Sequence, residues 1–232
     1  MLIAGWSGPR NLSTAMMYAF AQRPDCTVVD EPFYASYLKA TGLTHPMRQE
    51  ILADMNSDAA DVVDSVTRYD SPHRYLKLMT HHILPSTPLA WAGDAVHLHL
   101  IRHPARVIAS YTEKNEVPEL DDIGLRQQLM LYERFGGIVL DSADIRADPG
   151  AALRKACAEL GLTYTDAMLH WPAGGNAADG IWARHWYDAV HRSTGFAEPE
   201  GALPVLSGAA ARVCAEAVKV YDQLHARRLA IT

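Results

Sequence analysis

The chain opens with the apolar run Leu2-Ile3-Ala4-Gly5-Trp6, passes into Ser7-Gly8-Pro9-Arg10-Asn11-Leu12-Ser13-Thr14 and continues as Ala15-Met16-Met17-Tyr18-Ala19-Phe20. This order predicts a buried strand, a tight loop and a helix. Such a connection aims loop amides and the positive end of a helix dipole at one point, and Arg10, Ser13 and Thr14 add further donors. The point suits an anion, above all a phosphate. An ordinary strand-to-helix connection capped by Ser13 or Asn11 is the plain alternative. The nucleoside-triphosphate loop GxxxxGK[ST] is not matched, because no Lys precedes Ser13 or Thr14.

Composition narrows the partners. The 232 residues carry 21 Lys and Arg against 27 Asp and Glu, a net charge of −6, which argues against broad affinity for nucleic acid or anionic lipid. Any anion must be caught by a local site. A chain of this length is read as one domain, residues 1–232, able to bury roughly 70 % of its unfolded surface. Cys26, Cys157 and Cys214 are widely spaced and form no CxxC pair, so neither a disulfide framework nor a zinc site is expected. No apolar run reaches the length of a membrane span, and no secretory signal is seen at the start. A soluble protein of a reducing cytoplasm is the expectation.

Short apolar runs alternate with longer helical patterns, which predicts an α/β fold with a parallel sheet flanked by helices. Strands are expected at 2–6, 26–30, 74–79, 96–101 and 137–140. Helices are expected at 12–22, 47–56, 58–68, 104–113, 120–135, 149–160 and 208–227. In such a sheet ligands gather beyond the carboxyl ends of the strands. The residues there are polar: Asp30-Glu31 after the second run, Thr80-His81-His82 after the third and Arg102-His103 after the fourth.

Arg102 leaves a strand end, Pro104 suits a first helical turn, and Ser110 follows Arg102 by eight positions. An Arg fork and a hydroxyl could together grip a second phosphate. The alternative is that Arg102 pairs with a carboxylate while Ser110 faces solvent.

Together these segments resemble the sulfotransferases that use 3′-phosphoadenosine 5′-phosphosulfate, in particular a bacterial branch. The GPRNLST loop, Gly8, Pro9, Arg10, Asn11, Leu12, Ser13 and Thr14, is similar to their 5′-phosphosulfate loop, with Leu12 where a glycine is usual. The LIRHPARVIASY segment is similar to their 3′-phosphate element, with Arg102 and Ser110 at the matching places and His103 where an acidic or amide residue is commoner. ADPGAALRKACAELGLTYTDAML is similar to the helix after their fifth strand. The resemblance covers roughly residues 1–170. It implies a fold of the P-loop type, transfer of a sulfuryl group to a hydroxyl or amine of a small-molecule or carbohydrate acceptor, and no metal. It also implies Arg10 as a charge on the leaving phosphate and Glu31 as the base that deprotonates the acceptor.

The residues leave other roles open. Glu31 could instead pair with Arg10 or cap a helix around Phe33 to Leu38. His81 and His82 are rival bases, although their spacing from Lys77 departs from the KxH segment of small-molecule sulfotransferases, and Lys77 is a candidate second charge on the leaving oxygen. Val28-Val29-Asp30-Glu31 also reads as the strand end that holds magnesium in ATPases and kinases, and a non-catalytic nucleotide-binding module is a third reading. Residues 170–206 are Gly-rich and then aromatic, with Trp182, His185, Trp186 and Tyr187 at the spacing of one helical face. That segment suits a lid or an acceptor pocket. Neither the acceptor nor the oligomeric state follows from these residues.

Overall fold

The computed structural model describes residues 1–113 and 116–231. Its strands are β1 (Leu2–Ser7), β2 (Cys26–Asp30), β3 (His73–Met79), β4 (Val96–Ile101) and β5 (Ile138–Asp141). They form one parallel sheet in the order β2-β3-β1-β4-β5. The central strand β1 is fully buried along LIAGWS, as its unbroken apolar run requires in a sheet covered on both faces. The chain leaves β1 toward β2 and β3 on one side and reaches β4 and β5 on the other. The carboxyl end of β1 is therefore the place where the strand order reverses, and a crevice opens there.

The helices are α1 (Ser13–Ala21), α2 (Tyr34–Thr41), α3 (Arg48–Asp54), α4 (Ala59–Thr67), α5 (Pro104–Thr112), α6 (Leu125–Phe135), α7 (Ser142–Ala147), α8 (Pro149–Glu159), α9 (Ala183–Trp186), α10 (Asp188–His191) and α11 (Gly208–His225). On one sheet face Met16, Met17, Tyr18 and Phe20 of α1 pack with Tyr75, Leu98, Leu140 and Leu153. On the other, Trp6, Leu76 and Leu78 meet Phe33, Trp91, Val62 and Leu131. Burial of this kind stabilises by about 1.5–3 kcal/mol per large apolar side chain, so α1 is anchored as firmly as the sheet. Among the described residues no helix is long and apolar enough to cross a membrane.

All five expected strands form, within one residue at each end. Three helical expectations are corrected. The helix expected from 120 begins at Leu125, because Gly124 sits at φ +68° with Thr80 Oγ1 only 2.4 Å from where a Cβ would stand. The six-residue α7 is too short to show a period and has no counterpart among the expected helices; Asp141 caps it through the Ala143 amide at 2.7 Å. Trp182, His185, Trp186 and Tyr187 do not present one face: the four-residue α9 holds only His185 and Trp186 of these and is flanked by Trp182 and Tyr187, and Trp182 and Tyr187 are buried while His185 is exposed.

Candidate active site

The loop after β1 is held in a strained backbone. Arg10 and Leu12 have φ of 62° and 63°, in the left-handed region, and Glu31 has 42°. These are three of the four non-glycine residues with positive φ among the described residues, and strain of this kind gathers where function demands it. Leu12 thus adopts the conformation that a glycine would favour, at a cost of roughly 1–2 kcal/mol. Behind the loop Asn11 Nδ2 donates to Leu100 O (3.2 Å), Ser142 Oγ to Asn11 O (3.2 Å) and Arg102 Nη1 to Arg10 O (2.8 Å). Gly8 contributes clearance: a Cβ there would lie 2.2 Å from Ile123 O.

In front of the loop lies a cavity of about 390 Å³. Pro9, Arg10, Asn11, Leu12, Ser13 and Thr14 form one wall. The amides of Ser13, Thr14 and Ala15 precede the first ladder bond of α1, from Met16 N–H to Leu12 O (2.9 Å), so they are the donors that a helix start leaves unpaired. Arg10 supplies the guanidinium; burial lowers its pKa, and such a group stays charged at neutral pH. Tyr34 and Tyr37 of α2, His45, His81, His82 and Trp186 make an aromatic wall. His82 stacks between Tyr34 and Tyr37, with ring centroids 4.5 and 4.8 Å away.

Glu31 and Lys77 meet at the base of the cavity. The register sets this, since β2 pairs with β3 so that Asp30 lies beside Lys77. The Lys77 ammonium donates to Asp30 Oδ1 (2.8 Å), to Glu31 Oε1 and to Tyr187 Oη (2.6 Å). Three donors meet three acceptors, so none of its protons remains for another partner. The Tyr187 hydroxyl accepts from Lys77 and from Trp182 Nε1 (3.1 Å), and its single proton is shared between Asp30 (2.9 Å) and Glu31 (3.1 Å). Burial lowers the Lys77 pKa, but the two carboxylates outweigh that and raise it. Asp30 is held above the usual carboxylate range by burial, with Lys77 opposing. Two carboxylates against one ammonium leave the cluster one positive charge short.

Glu31 is therefore paired with Lys77. It keeps Oε2 on the side of His82, whose Nδ1 is 4.0 Å away. Burial lowers the His82 pKa well below the ordinary value and brings His81 to about 4. Both rings are neutral at pH 7, and a base of pKa near 4 takes protons poorly. Asp30 does not line the cavity; its oxygens serve Lys77, Tyr187 and the Gly180 amide at 3.2 Å. The segment at 170–191 is fastened here and again at Asp179, which accepts from Tyr18 Oη (2.5 Å) and lies 3.0 Å from His191 Nε2.

The chain matches the family model described as a sulfotransferase domain over residues 1–228. It belongs to the sulfotransferase-domain family. Two curated relatives from Arabidopsis thaliana, named branched-chain-amino-acid aminotransferase-like proteins 1 and 2, are 39% and 35% identical to it over 207 and 206 residues. Each alignment covers 86% of this chain and 37% of the relative, so this sulfotransferase domain spans little more than a third of those proteins. Among solved structures, the sulfotransferase domain of a Synechococcus olefin synthase superposes with a TM-score of 0.55 at 18% identity, covering 94% of both chains. The sulfotransferase domain of the curacin biosynthetic pathway gives 0.51 at 12% identity, covering 94% of this chain and 96% of that one. These likenesses are of fold.

The remaining expected residues lie to one side. Arg102 is at the end of β4, outside the cavity lining, and its Nε donates to Glu200 Oε1 at 2.9 Å. The carboxylate that pairs with it is thus 98 positions away along the chain. Ser110 is half-buried on α5 and is likewise not part of the lining. Glu200 is a site residue that the sequence does not mark, while Asp30, Trp182 and Tyr187, read there as a magnesium strand end and a lid or acceptor pocket, instead hold Lys77 and Glu31 in place. Asp30, Tyr187 and Glu200 meet partners 47 to 157 positions away, and Trp182 reaches Tyr187 five positions on.

Proposed function

We propose that this chain transfers a sulfuryl group from 3′-phosphoadenosine 5′-phosphosulfate to a hydroxyl or amine of a small acceptor. The observation that carries the reading is the loop Pro9–Thr14, whose left-handed Arg10 and Leu12 turn the Ser13, Thr14 and Ala15 amides and a guanidinium toward a cavity that also receives Glu31. The donor set fits a sulfated nucleotide: loop amides and Arg10 for its 5′ end, and Arg102, bonded to the same loop at Arg10 O, for its 3′-phosphate. When bound, that nucleotide supplies the activated sulfuryl group.

The chain's own residues do the rest. Arg10 and the first-turn amides hold the phosphate oxygens and stabilise charge that develops on them. Glu31 accepts the acceptor's proton. Lys77 and Tyr187 position Glu31 by fixing Oε1, which leaves Oε2 to face the acceptor. The aromatic wall of Tyr34, Tyr37 and Trp186 and the neutral His81 and His82 favour an uncharged, partly apolar acceptor. The three free cysteines support a reducing cytoplasm as the setting.

The test pairs a radiolabelled donor nucleotide with a panel of alcohols and amines. With the first acceptor that is labelled, Glu31→Gln is expected to bind adenosine 3′,5′-bisphosphate normally and to lose about 10²–10⁴-fold in transfer rate, the usual range for removing a general base. Full activity in that variant would move the base to another group.

A further inference from the structure

Between α10 and α11 the chain runs without helix or strand from Phe196 to Ser207 and crosses the ends of β4 and β5. One end of this strap is seated by Phe196, which packs edge-on against Trp171 at 5.3 Å. Farther on it presents Leu203 and Val205 to solvent, Val205 almost completely. Between them the Glu200 side chain turns inward and is only 3% exposed.

Glu200 lands among three arginines from three elements. Arg102 closes β4, Arg106 lies on α5 and Arg146 lies on α7. Oε1 takes Arg102 Nε (2.9 Å), Arg102 Nη2 and Arg146 Nη1 (2.9 Å). Oε2 lies 2.8 Å from Arg106 Nε but out of hydrogen-bond alignment, so it is buried with no properly made bond. Three guanidinium charges thus face one carboxylate charge, and one oxygen is crowded while the other is underserved. A phosphomonoester offers three oxygens on a tetrahedral centre and close to two negative charges, which would give each guanidinium its own acceptor. The subsite is also continuous with the loop before α1, because Arg102 donates to Arg10 O at 2.8 Å.

We propose that Glu200 is an internal stand-in for a phosphomonoester: its carboxylate occupies the Arg102, Arg106 and Arg146 subsite in the nucleotide-free protein, and the 3′-phosphate of an incoming nucleotide displaces it. The inference rests on the nucleotide reading given above. Two strap carbonyls, Glu198 O on Arg146 and Gly201 O on Arg106, are exchangeable with water once the carboxylate leaves, so displacement loosens the strap over this stretch. The latch makes the affinity for a 3′-phosphorylated nucleotide lower than the three arginines alone would give.

Glu200→Gln removes the competing charge and keeps the side-chain shape. Titration calorimetry is expected to show adenosine 3′,5′-bisphosphate binding about tenfold tighter to Glu200→Gln than to the unaltered chain, the scale of one charge-assisted contact. Adenosine 5′-phosphate should bind both alike. A second readout needs no variant: a Glu-specific protease, followed by mass spectrometry of the Glu200–Gly201 cut, should cleave faster with the bisphosphate than with the monophosphate. Unchanged or weaker bisphosphate binding in the variant overturns the latch and makes Glu200 a tether; if the variant does not fold, cleavage that ignores the bisphosphate overturns the latch in its place. Failure of the unaltered chain and the variant alike to prefer the bisphosphate over the monophosphate overturns the nucleotide reading itself, and the latch with it.

Discussion

Two ionic clusters lie at the carboxyl edge of the sheet, and they are opposite in kind. At the end of β2, Asp30 and Glu31 surround the single ammonium of Lys77, with Tyr187 sharing one proton between them. At the ends of β4 and β5, Arg102, Arg106 and Arg146 surround the single carboxylate of Glu200. The first is one positive charge short and has an answer inside the protein, since a carboxylate held up by burial can take a proton. The second is two negative charges short, and guanidinium groups cannot be discharged at ordinary pH. A site that cannot lose its surplus positive charge favours an anion. On the proposed function the first cluster handles the acceptor's proton and the second holds phosphate, with the strained loop of Arg10 and Leu12 between them.

The largest effect is expected in the carboxylate cluster. Lys77→Met leaves two buried carboxylates without their ammonium, and removing one partner of a buried pair costs about 3–5 kcal/mol. Urea unfolding is expected to show a loss on that scale. A loss below about 1 kcal/mol would mean that water reaches the cluster and that it does not hold Glu31 in place.

A smaller effect comes from the neutral histidines packed beside and behind the site. His82 and His99 are buried, and burial lowers both, His99 to about 3, from an ordinary value of 6.5. Below pH 6.5 the unfolded chain takes protons that these rings cannot take in the fold, so stability present at pH 7 is lost as the pH falls. Each ring contributes up to about 1.4 kcal/mol per pH unit in that window. Asp30 works the other way, because its raised pKa lets the folded form bind a proton first. The net expectation is a loss of about 2 kcal/mol between pH 7 and pH 5, read as a lower urea midpoint. A midpoint that rises on acidification would show that the carboxylates outweigh the histidines.

Legibility followed the range of the interactions. The five strands and the loop before α1 are local patterns, and apolar runs with a Gly-Pro turn are enough to read them. The placement of Glu31 and Lys77 at one point follows from register between β2 and β3, and register is hinted at by strand ends that carry polar residues. Tyr187 and Glu200 lie 157 and 98 positions from the residues they serve, and nothing near either one in the chain points to those partners. Tyr187 sits within an aromatic stretch whose helical spacing points to a single face; instead the helix breaks at Tyr187, between α9 and α10, and Gly180, ahead of α9, clears room for the Trp182 ring, 2.0 Å from where a Cβ would stand. Nothing local in the sequence joins Arg106 to Arg146, and only the strap gives them a common partner in Glu200.

On the proposed function one nucleotide is gripped at both ends, by the loop at 10–14 and by the arginines at the end of β4. Calorimetric titration of the unaltered chain and of Arg102→Ala with adenosine 3′,5′-bisphosphate and adenosine 5′-phosphate tests it most directly. The unaltered chain is expected to prefer the bisphosphate by about tenfold or more, the value of a charged bidentate contact, and Arg102→Ala to erase the preference while leaving monophosphate binding in place. Equal affinity of the unaltered chain for the two nucleotides, or a preference that survives Arg102→Ala, would contradict it.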